Sequence, residues 1–111
     1  MEGKLNNILF GLLGKNISYS FSKNYFSEKF SNLQLNHYKY VNFDIKNIQH
    51  FPEILNEFKT SLKGCNVTIP FKESIVNYLD EVDTIASEIG AVNTIKFTND
   101  KRLIGYNTDV F

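Results

Sequence analysis

Hydrophobic residues in the first half of the chain alternate between strand-like and helix-like patterns. A continuous apolar run over residues 8–13, closed by Gly14, predicts a central strand covered on both faces. Apolar residues then recur at spacings of three and four, which predicts an amphipathic helix near residues 22–35 with Ser22 as its N-cap. Alternation around β-favouring side chains predicts a second strand over residues 38–43.

The same alternation of patterns continues through the next thirty residues. A second helical stripe consists of Phe51, Leu55, Phe58 and Leu62. Pro52 suits the first turn of this helix, and Gly64 is expected to end it after Lys63. Cys65, Val67 and Ile69 then alternate with polar residues and predict a third strand, ended by Pro70. The resulting order is βαβαβ.

The last forty residues predict a different arrangement. Two short helices are expected at residues 73–79 and 83–89, the second capped by Asp83 and ended by Gly90. Two β-rich runs, at residues 92–97 and 103–106, are separated by a polar turn that suits a hairpin. We therefore expect an α/β fold: a layered α/β/α domain around a mixed, mainly parallel sheet of about five or six strands, with an antiparallel hairpin near the C-terminus.

Length and charge narrow the class of ligand. The 111 residues suit one domain, residues 1–111, and 42% of them are apolar. Twelve basic and twelve acidic residues are scattered without a block of one sign, which argues against a nucleic-acid or membrane surface and favours a small ligand. The single cysteine, Cys65, excludes an internal disulfide, indicates a cytoplasmic protein, and is expected to be a buried structural thiol.

The loop over residues 14–22 is the first candidate for chemistry. In an open α/β sheet, ligands collect outside the carboxyl ends of the strands, where this loop is expected. Ser20 and Ser22 would lie at a helix N-terminus, whose free N–H groups and dipole favour an anion such as a carboxylate. The alternative is that Ser22 only caps the helix and Ser20 only satisfies a turn.

A second candidate follows the third strand, in the segment over residues 66–72. Period two places Asn66 and Thr68 on one side of the strand near its carboxyl end, with Lys72 just beyond. A lysine there can serve as a general acid or base if burial favours the neutral amine and a carboxylate positions it. The alternative is an ordinary surface lysine in the first turn of a helix.

The remaining polar candidates are Asn93 and the Asn107-Thr108-Asp109 run. Each could bind ligand hydroxyls, and each also has a routine role in turns and caps. His37 and His50 have no partner at zinc-motif spacing, so no metal site is expected. No GxGxxG follows a strand, so no nucleotide fingerprint is present.

Four segments together resemble the shikimate dehydrogenase family. They are residues 14–22, 66–72 and 90–94 and the terminal 107–109 run, in the family's order and spacing. The resemblance implies NADPH-dependent reduction of 3-dehydroshikimate to shikimate, in a cytoplasmic monomer or homodimer. It also implies that the NADP-binding Rossmann domain follows the Asn-Thr-Asp run, so that residues 1–111 are the substrate domain alone.

The resemblance assigns a role to each matching residue. Ser20 and Ser22 would bind the substrate carboxylate, while Thr68, Asn93, Lys72 and Asp109 would contact the ring hydroxyls and Asn66 would line the pocket. Lys72 and Asp109 would form the catalytic pair, which handles the proton of the alcohol while the cofactor takes the hydride. We expect such a domain to bind substrate without turning it over.

This chain departs from the family at three places in and next to the loop over residues 14–22. Asn16, Tyr19 and Lys23 stand where the family most often has Pro, His and Pro, so the resemblance does not extend to the rigidity of the loop or to the substrate preference. Ser20 and Ser22 are kept, so carboxylate binding is still expected. Three alternatives stay open. One is a dehydrogenase that also accepts quinate, another is a non-catalytic module that recognises a cyclic polyhydroxy acid, and the third is a structural domain without a ligand.

Overall fold

The computed structural model describes residues 8–17 and 21–108, with the backbone alone at residues 21 and 22. The strands are β1 (Ile8–Gly14), β2 (Tyr38–Asp44), β3 (Leu62–Val67), β4 (Glu81–Val82), β5 (Thr94–Phe97) and β6 (Leu103–Tyr106). The α-helices are α1 (Phe21–Asn32), α2 (Phe51–Phe58) and α3 (Thr84–Ile89). Short 3₁₀ helices cover Ile48–His50 and Ser74–Tyr78.

The strands form one mixed six-stranded sheet in the order β2-β1-β3-β5-β6-β4. β1 pairs in parallel with both β2 and β3, β5 is antiparallel to both β3 and β6, and β4 is parallel to β6. The carboxyl ends of β1, β2, β3 and β6 therefore lie along one edge of the sheet together with the amino end of β5. We call this the carboxyl edge. The predicted α/β fold, with its mixed sheet and C-terminal hairpin, is confirmed.

One face of the sheet carries the hydrophobic core. Alternation along the strands puts Leu9, Leu13, Cys65 and Ile95 on this face, and each is at most 8% exposed. They join one cluster with residues of α2, the second 3₁₀ helix and α3, namely Phe51, Ile54, Ile75 and Ala86. Burial of this apolar area contributes about 25 cal/mol per Å² and fixes which face each strand residue takes.

The opposite face is covered by α1 over β1 and β2. Phe26 stacks on Tyr40 with ring centroids 4.9 Å apart, and Phe30 packs against Phe10 and Tyr38 at 6.2 and 5.6 Å. We call this the α1 face. Beyond α1, over β3 and β5, the face opens into a cavity of about 390 Å³.

The boundary between α2 and β3 was predicted wrongly. α2 ends at Phe58, and Leu62, Lys63 and Gly64 belong to β3, which pairs Leu62 with Leu9. The pairing of β1 with β3 shifts register next to Leu9, so buried residues of β3 are three apart at Leu62 and Cys65. This irregularity mimics the spacing of a helix, and Leu62 therefore fits both patterns.

Other differences lie at the ends of elements. α1 begins at Phe21, so Ser22 lies inside the first turn and not at the predicted N-cap position. β3 ends at Val67, and Ile69 is 74% exposed beyond it, next to the cis peptide bond with Pro70. Thr68 still donates its amide to the Leu13 carbonyl at 2.9 Å, but the chain then leaves the sheet.

Two further elements of the C-terminal part differ from prediction. The first of the two short helices there is a 3₁₀ helix, Ser74–Tyr78. The short edge strand β4 was not predicted at all, because two residues carry no readable periodicity. Asp80, just before β4, accepts the Leu103 amide at 2.8 Å and so helps to hold β4 against β6. Among the described residues, no helix is long and apolar enough to cross a membrane.

Candidate functional site at the carboxyl edge

Thr68 lies against the start of the loop that follows β1. A Cβ added to Gly14 would stand 2.7 Å from Thr68 Cγ2 and 3.0 Å from Ile17 Cγ2, and the first of these distances is shorter than a real side chain tolerates. The absence of a side chain at Gly14 therefore lets Thr68 and Ile17 meet above the end of β1. The start of the first candidate segment, at residues 14–17, therefore lies next to the second, at residues 66–72.

Asn66 lies on the same face as Thr68. Its Oδ1 accepts a hydrogen bond from the Tyr40 hydroxyl at 3.0 Å, and it lines the cavity on the α1 face. Strand alternation means that a Cβ at Gly14 would point to this α1 face, and Thr68 lies next to that position. Period two had predicted this common side from the sequence.

Backbone hydrogen bonds bring Lys72 and Asn93 to the same edge. The Val92 amide donates to the Lys72 carbonyl at 2.8 Å, and the Val67 amide donates to the Asn93 carbonyl at 2.8 Å. Lys72 and Asn93 are both half-buried, and Phe71 next to Lys72 is 4% exposed. The chain segments that carry Lys72 and Asn93 are thus joined beside the carboxyl end of β3.

The Asn93 side chain fastens the segment that follows β6. Its Oδ1 accepts from the Thr108 amide at 3.0 Å and from the Thr94 hydroxyl at 2.9 Å. Its Nδ2 donates to the Thr108 hydroxyl at 3.0 Å, and Asn107 Nδ2 donates to the Ala91 carbonyl at 3.1 Å. These bonds engage the amide oxygen of Asn93 and one hydrogen of its Nδ2, and they hold the two residues directly before Asp109.

Three sequence candidates fall outside what the structure describes. Ser20 and Asp109 lie outside the described residues, and Ser22 is described by its backbone alone. Sequence reasoning had not identified Thr94 and Thr108 as partners of Asn93. Thr94 adjoins Asn93 in the chain, but Thr108 lies fifteen residues away, and only the β5–β6 hairpin makes them neighbours.

The main chain of the loop after β1 is held by the end of β2. The Asn16 amide donates to Asp44 Oδ1 at 2.8 Å and the Ile17 amide to Asp44 Oδ2 at 3.1 Å. Asn42 Nδ2 donates to the Ile17 carbonyl at 2.8 Å. Neither Asn42 nor Asp44 was a candidate from the sequence, because their partners lie 25 to 28 residues earlier in the chain.

Asn16 stands where the family most often has proline, and its backbone is restrained in a different way. Its φ is 60°, in the left-handed region, and its N–H is hydrogen-bonded to Asp44. Proline can adopt neither this φ nor this bond, because its ring fixes φ near −65° and removes the donor. Asparagine tolerates the left-handed region better than most residues. The bonds of Asn16 and Ile17 to Asp44 therefore restrain the start of the loop without a proline.

Cys65 has no part in the chemistry of the edge. Burial raises the pKa of its thiol to about 12, and the thiol donates to the Asn66 carbonyl at 3.3 Å. The thiolate that a nucleophile or metal ligand needs is therefore disfavoured, and the prediction of a buried structural thiol is confirmed. Over residues 8–17 and 21–108, no three His, Cys, Asp or Glu side chains come together as a potential metal site.

The turn after β1 does not fit the pyrophosphate of a dinucleotide. A pyrophosphate in an α/β fold is bound by free backbone amides of a glycine-rich turn after the first strand. Here Gly14 is the only glycine in the turn, and the Asp44 carboxylate already accepts the amides of Asn16 and Ile17. The negative charge of Asp44 would also repel a phosphate at this position.

The fold and the edge together define a class of protein. Thr68, Asn93 and the segment with Lys72 lie where strands end in an α/β sheet, as in a domain that binds a polar small molecule. The sequence profile of the family described as the shikimate dehydrogenase substrate binding domain matches residues 12–95. The chain belongs to this family.

Individual relatives agree with the family assignment. The NADP(+) shikimate dehydrogenase of Methanococcus vannielii is 44% identical over 103 residues, which cover 92% of this chain and 35% of that protein. The crystal structure of shikimate dehydrogenase from Aquifex aeolicus matches with a TM-score of 0.79 at 41% identity, over 93% of this chain and 38% of that one.

A further relative is known with ligands bound. Shikimate dehydrogenase from Thermus thermophilus has been solved with shikimate, and with NADP(H) and shikimate. Each of these structures is 33% identical with a TM-score of 0.79, over 92% of this chain and 38% of the other. The chain thus spans little more than a third of the length of the relatives described here.

Proposed function

We propose that this chain is the substrate-binding domain of a shikimate dehydrogenase, which reversibly reduces 3-dehydroshikimate to shikimate with NADPH. The observation that carries the proposal is the meeting of Thr68, Lys72 and Asn93 with the loop after β1 at the carboxyl edge. The names of the relatives and the shikimate-bound structures from Thermus thermophilus support it.

Shikimate is a small ring that carries one carboxylate and several hydroxyls, and the residues of the edge can be divided between these groups. Ser20 and Ser22 bind the carboxylate near the start of α1, where backbone N–H groups and the helix dipole favour an anion. The ring hydroxyls are bound by Thr68, Lys72, Asn93 and Asp109. Asn93 uses the Nδ2 hydrogen that Thr108 does not take, and Asn66 lines the pocket on the α1 face.

Lys72 and Asp109 are the catalytic pair of the proposal. Oxidation of an alcohol requires a group that accepts the hydroxyl proton, and reduction requires the same group to return it. The bonds of Asn93 to Thr108 tie the chain just before Asp109 to the segment before β5, where the Val92 amide donates to the Lys72 carbonyl. This shared anchor supports a pair that acts on one hydroxyl of the ring.

The coenzyme is assigned to another part of the enzyme. We infer that the coenzyme is NADP because the relatives are named as NADP(+) enzymes. We infer that it does not bind at the carboxyl edge because Asp44 already accepts an amide of the turn after β1. Residues 1–111 are then the substrate domain, and a separate nucleotide-binding domain completes the enzyme. A cytoplasmic location fits a biosynthetic enzyme with a single, buried cysteine.

The proposal is tested by titrating the ¹⁵N-labelled chain with shikimate and recording amide NMR shifts. We expect saturable shifts confined to the carboxyl edge, at residues 14–17, 66–72 and 91–94. Thr68→Val keeps the shape of the side chain and the contact with Gly14 but removes the hydroxyl. It should weaken binding about tenfold, the effect of one lost hydrogen bond of roughly 1.4 kcal/mol.

Thr60→Val is the matched control. Thr60 is exposed in the connection between α2 and β3, at the opposite end of the strands, so its replacement should leave the affinity unchanged. An absence of saturable shifts would refute the proposed function. Equal losses in Thr68→Val and Thr60→Val would refute the placement of the site.

A further inference from the structure

The end of β2 holds three main-chain groups of two consecutive residues in the loop after β1. The carboxylate of Asp44 accepts the N–H groups of Asn16 and Ile17, and the amide of Asn42 donates to the carbonyl of Ile17. Hydrogen bonds to an ionised acceptor are about twice as strong as neutral ones. We call these three bonds the β2 clamp.

The clamp lies outside the sheet that surrounds it. The parallel ladder between β1 and β2 ends with Gly14 opposite Asp44, and the Ile45 amide closes it on the Gly14 carbonyl at 2.9 Å. Asn16 and Ile17 come after this point. Their bonds therefore fix the path of the loop and add nothing to the pairing of the strands.

Asn42 is an unusual choice for its position. It lies on the α1 face of β2, which also carries the ring of Tyr40, and its neighbour in register is Leu12. Its Oδ1 is buried, with no hydrogen-bond partner within the described residues. A leucine or valine would pack there without the cost of burying an amide, so the useful property of Asn42 is the bond to Ile17.

The backbone of Asn16 also depends on the clamp. A non-glycine residue at φ 60° is in a disfavoured conformation, which persists where surrounding bonds hold it. Asp44 supplies such a bond at the Asn16 amide. The main chain of Asn16 and Ile17 is thus held in one conformation.

We propose that Asn42 and Asp44 are positioning residues for substrate binding, which act through the loop after β1. By fixing the main chain of Asn16 and Ile17, they hold the start of the loop beside Thr68, where the substrate is proposed to bind. The inference rests on the proposed function, and it adds two residues that touch no substrate to the determinants of affinity.

The test compares variants of the 111-residue chain in three measurements: shikimate affinity, amide hydrogen exchange without ligand, and thermal midpoint. Asp44→Ala removes both acceptors, and Asn16→Pro removes one donor and the left-handed φ. Both should weaken shikimate binding about tenfold or more, speed exchange at the Ile17 amide, and shift the Ser20 and Ser22 amide signals.

Matched variants separate positioning from general stability. Asp80→Ala removes another aspartate that accepts a backbone amide, that of Leu103 at 2.8 Å, far from the loop. Asn16→Gly keeps the amide and accepts the left-handed φ. Both controls should keep the wild-type affinity, whatever their thermal midpoints, and Asp44→Asn should fall between wild type and Asp44→Ala because its amide has one acceptor oxygen.

Each outcome decides the proposal. It is overturned if Asp44→Ala and Asn16→Pro lose no more affinity than Asp80→Ala and Asn16→Gly, or if the Ile17, Ser20 and Ser22 amides do not respond to Asp44→Ala. If the wild-type chain binds no shikimate, the proposed function fails by itself. The exchange and shift data without ligand then decide whether the clamp orders the loop.

Discussion

At the scale of single residues, Cys65 shows how burial alone sets chemistry. Its side chain is 5% exposed in the core face of the sheet, and burial raises the pKa of the thiol from 9.0 to about 12. In the unfolded chain the thiol would ionise near pH 9, whereas in the fold it stays neutral. The folded state therefore binds the proton more tightly, and stability present below pH 9 is lost as the pH rises toward 12.

This linkage predicts a pH-dependent difference between the wild type and Cys65→Ala. At about pH 8 the variant should be less stable than wild type, because a buried side chain is shortened. Between about pH 9 and 11 the difference should shrink, since only wild type loses the thiol contribution while all other groups titrate alike. Urea unfolding at several pH values measures it, and a constant difference would contradict the raised pKa.

Single residues also show where sequence reasoning about the site ends. The apolar face of Cys65 and the common side of Asn66 and Thr68 followed from strand alternation. The bonds from Asn42 and Asp44 to the loop did not, because nothing local in the sequence links residues 25 to 28 positions apart. Such contacts depend on the parallel pairing of β1 with β2, which periodicity alone does not specify.

At the scale of elements, local capping signals made some boundaries predictable. In α3 the Asp83 side chain accepts the Ile85 amide at 3.2 Å, and Gly90 ends the helix at φ 82°. Both signals were readable from the sequence, and both ends were predicted to within a residue. The start of β3 had no such signal, and the register shift beside Leu9 made Leu62 look helical.

The end of α3 provides a clean test of backbone strain. A Cβ at Gly90 would meet no atom within 4 Å, so the cost of Gly90→Ala comes from the left-handed φ alone. We expect Gly90→Ala to lower the free energy of unfolding by roughly 1–2 kcal/mol, and Gly90→Asn by less, because asparagine tolerates this conformation. Chemical denaturation compares the three proteins, and equal losses for alanine and asparagine would show that φ is not the cause.

At the scale of the whole molecule, the reversed direction of β5 places Asn93 at the carboxyl edge. β1, β2 and β3 bring only their carboxyl ends to the edge, whereas β5 runs the other way and brings Asn93 at its amino end. The βαβαβ order and the hairpin predicted a mixed sheet. The position of β5 between β3 and β6 is set by long-range packing, and with it the contact of Asn93 with Thr108.

The proposed assignment of substrate and coenzyme to different domains predicts how this chain behaves by itself. It should bind shikimate and leave NADPH unbound, because Asp44 occupies the amides that a phosphate at the first turn would need. Nicotinamide fluorescence should stay constant as the chain is added, while the full-length Methanococcus vannielii relative serves as the positive control. If NADPH instead shifts the Asn16 and Ile17 amide signals, the turn has opened to accept a phosphate. That result would contradict both the assignment of the coenzyme to another domain and the role proposed for the β2 clamp.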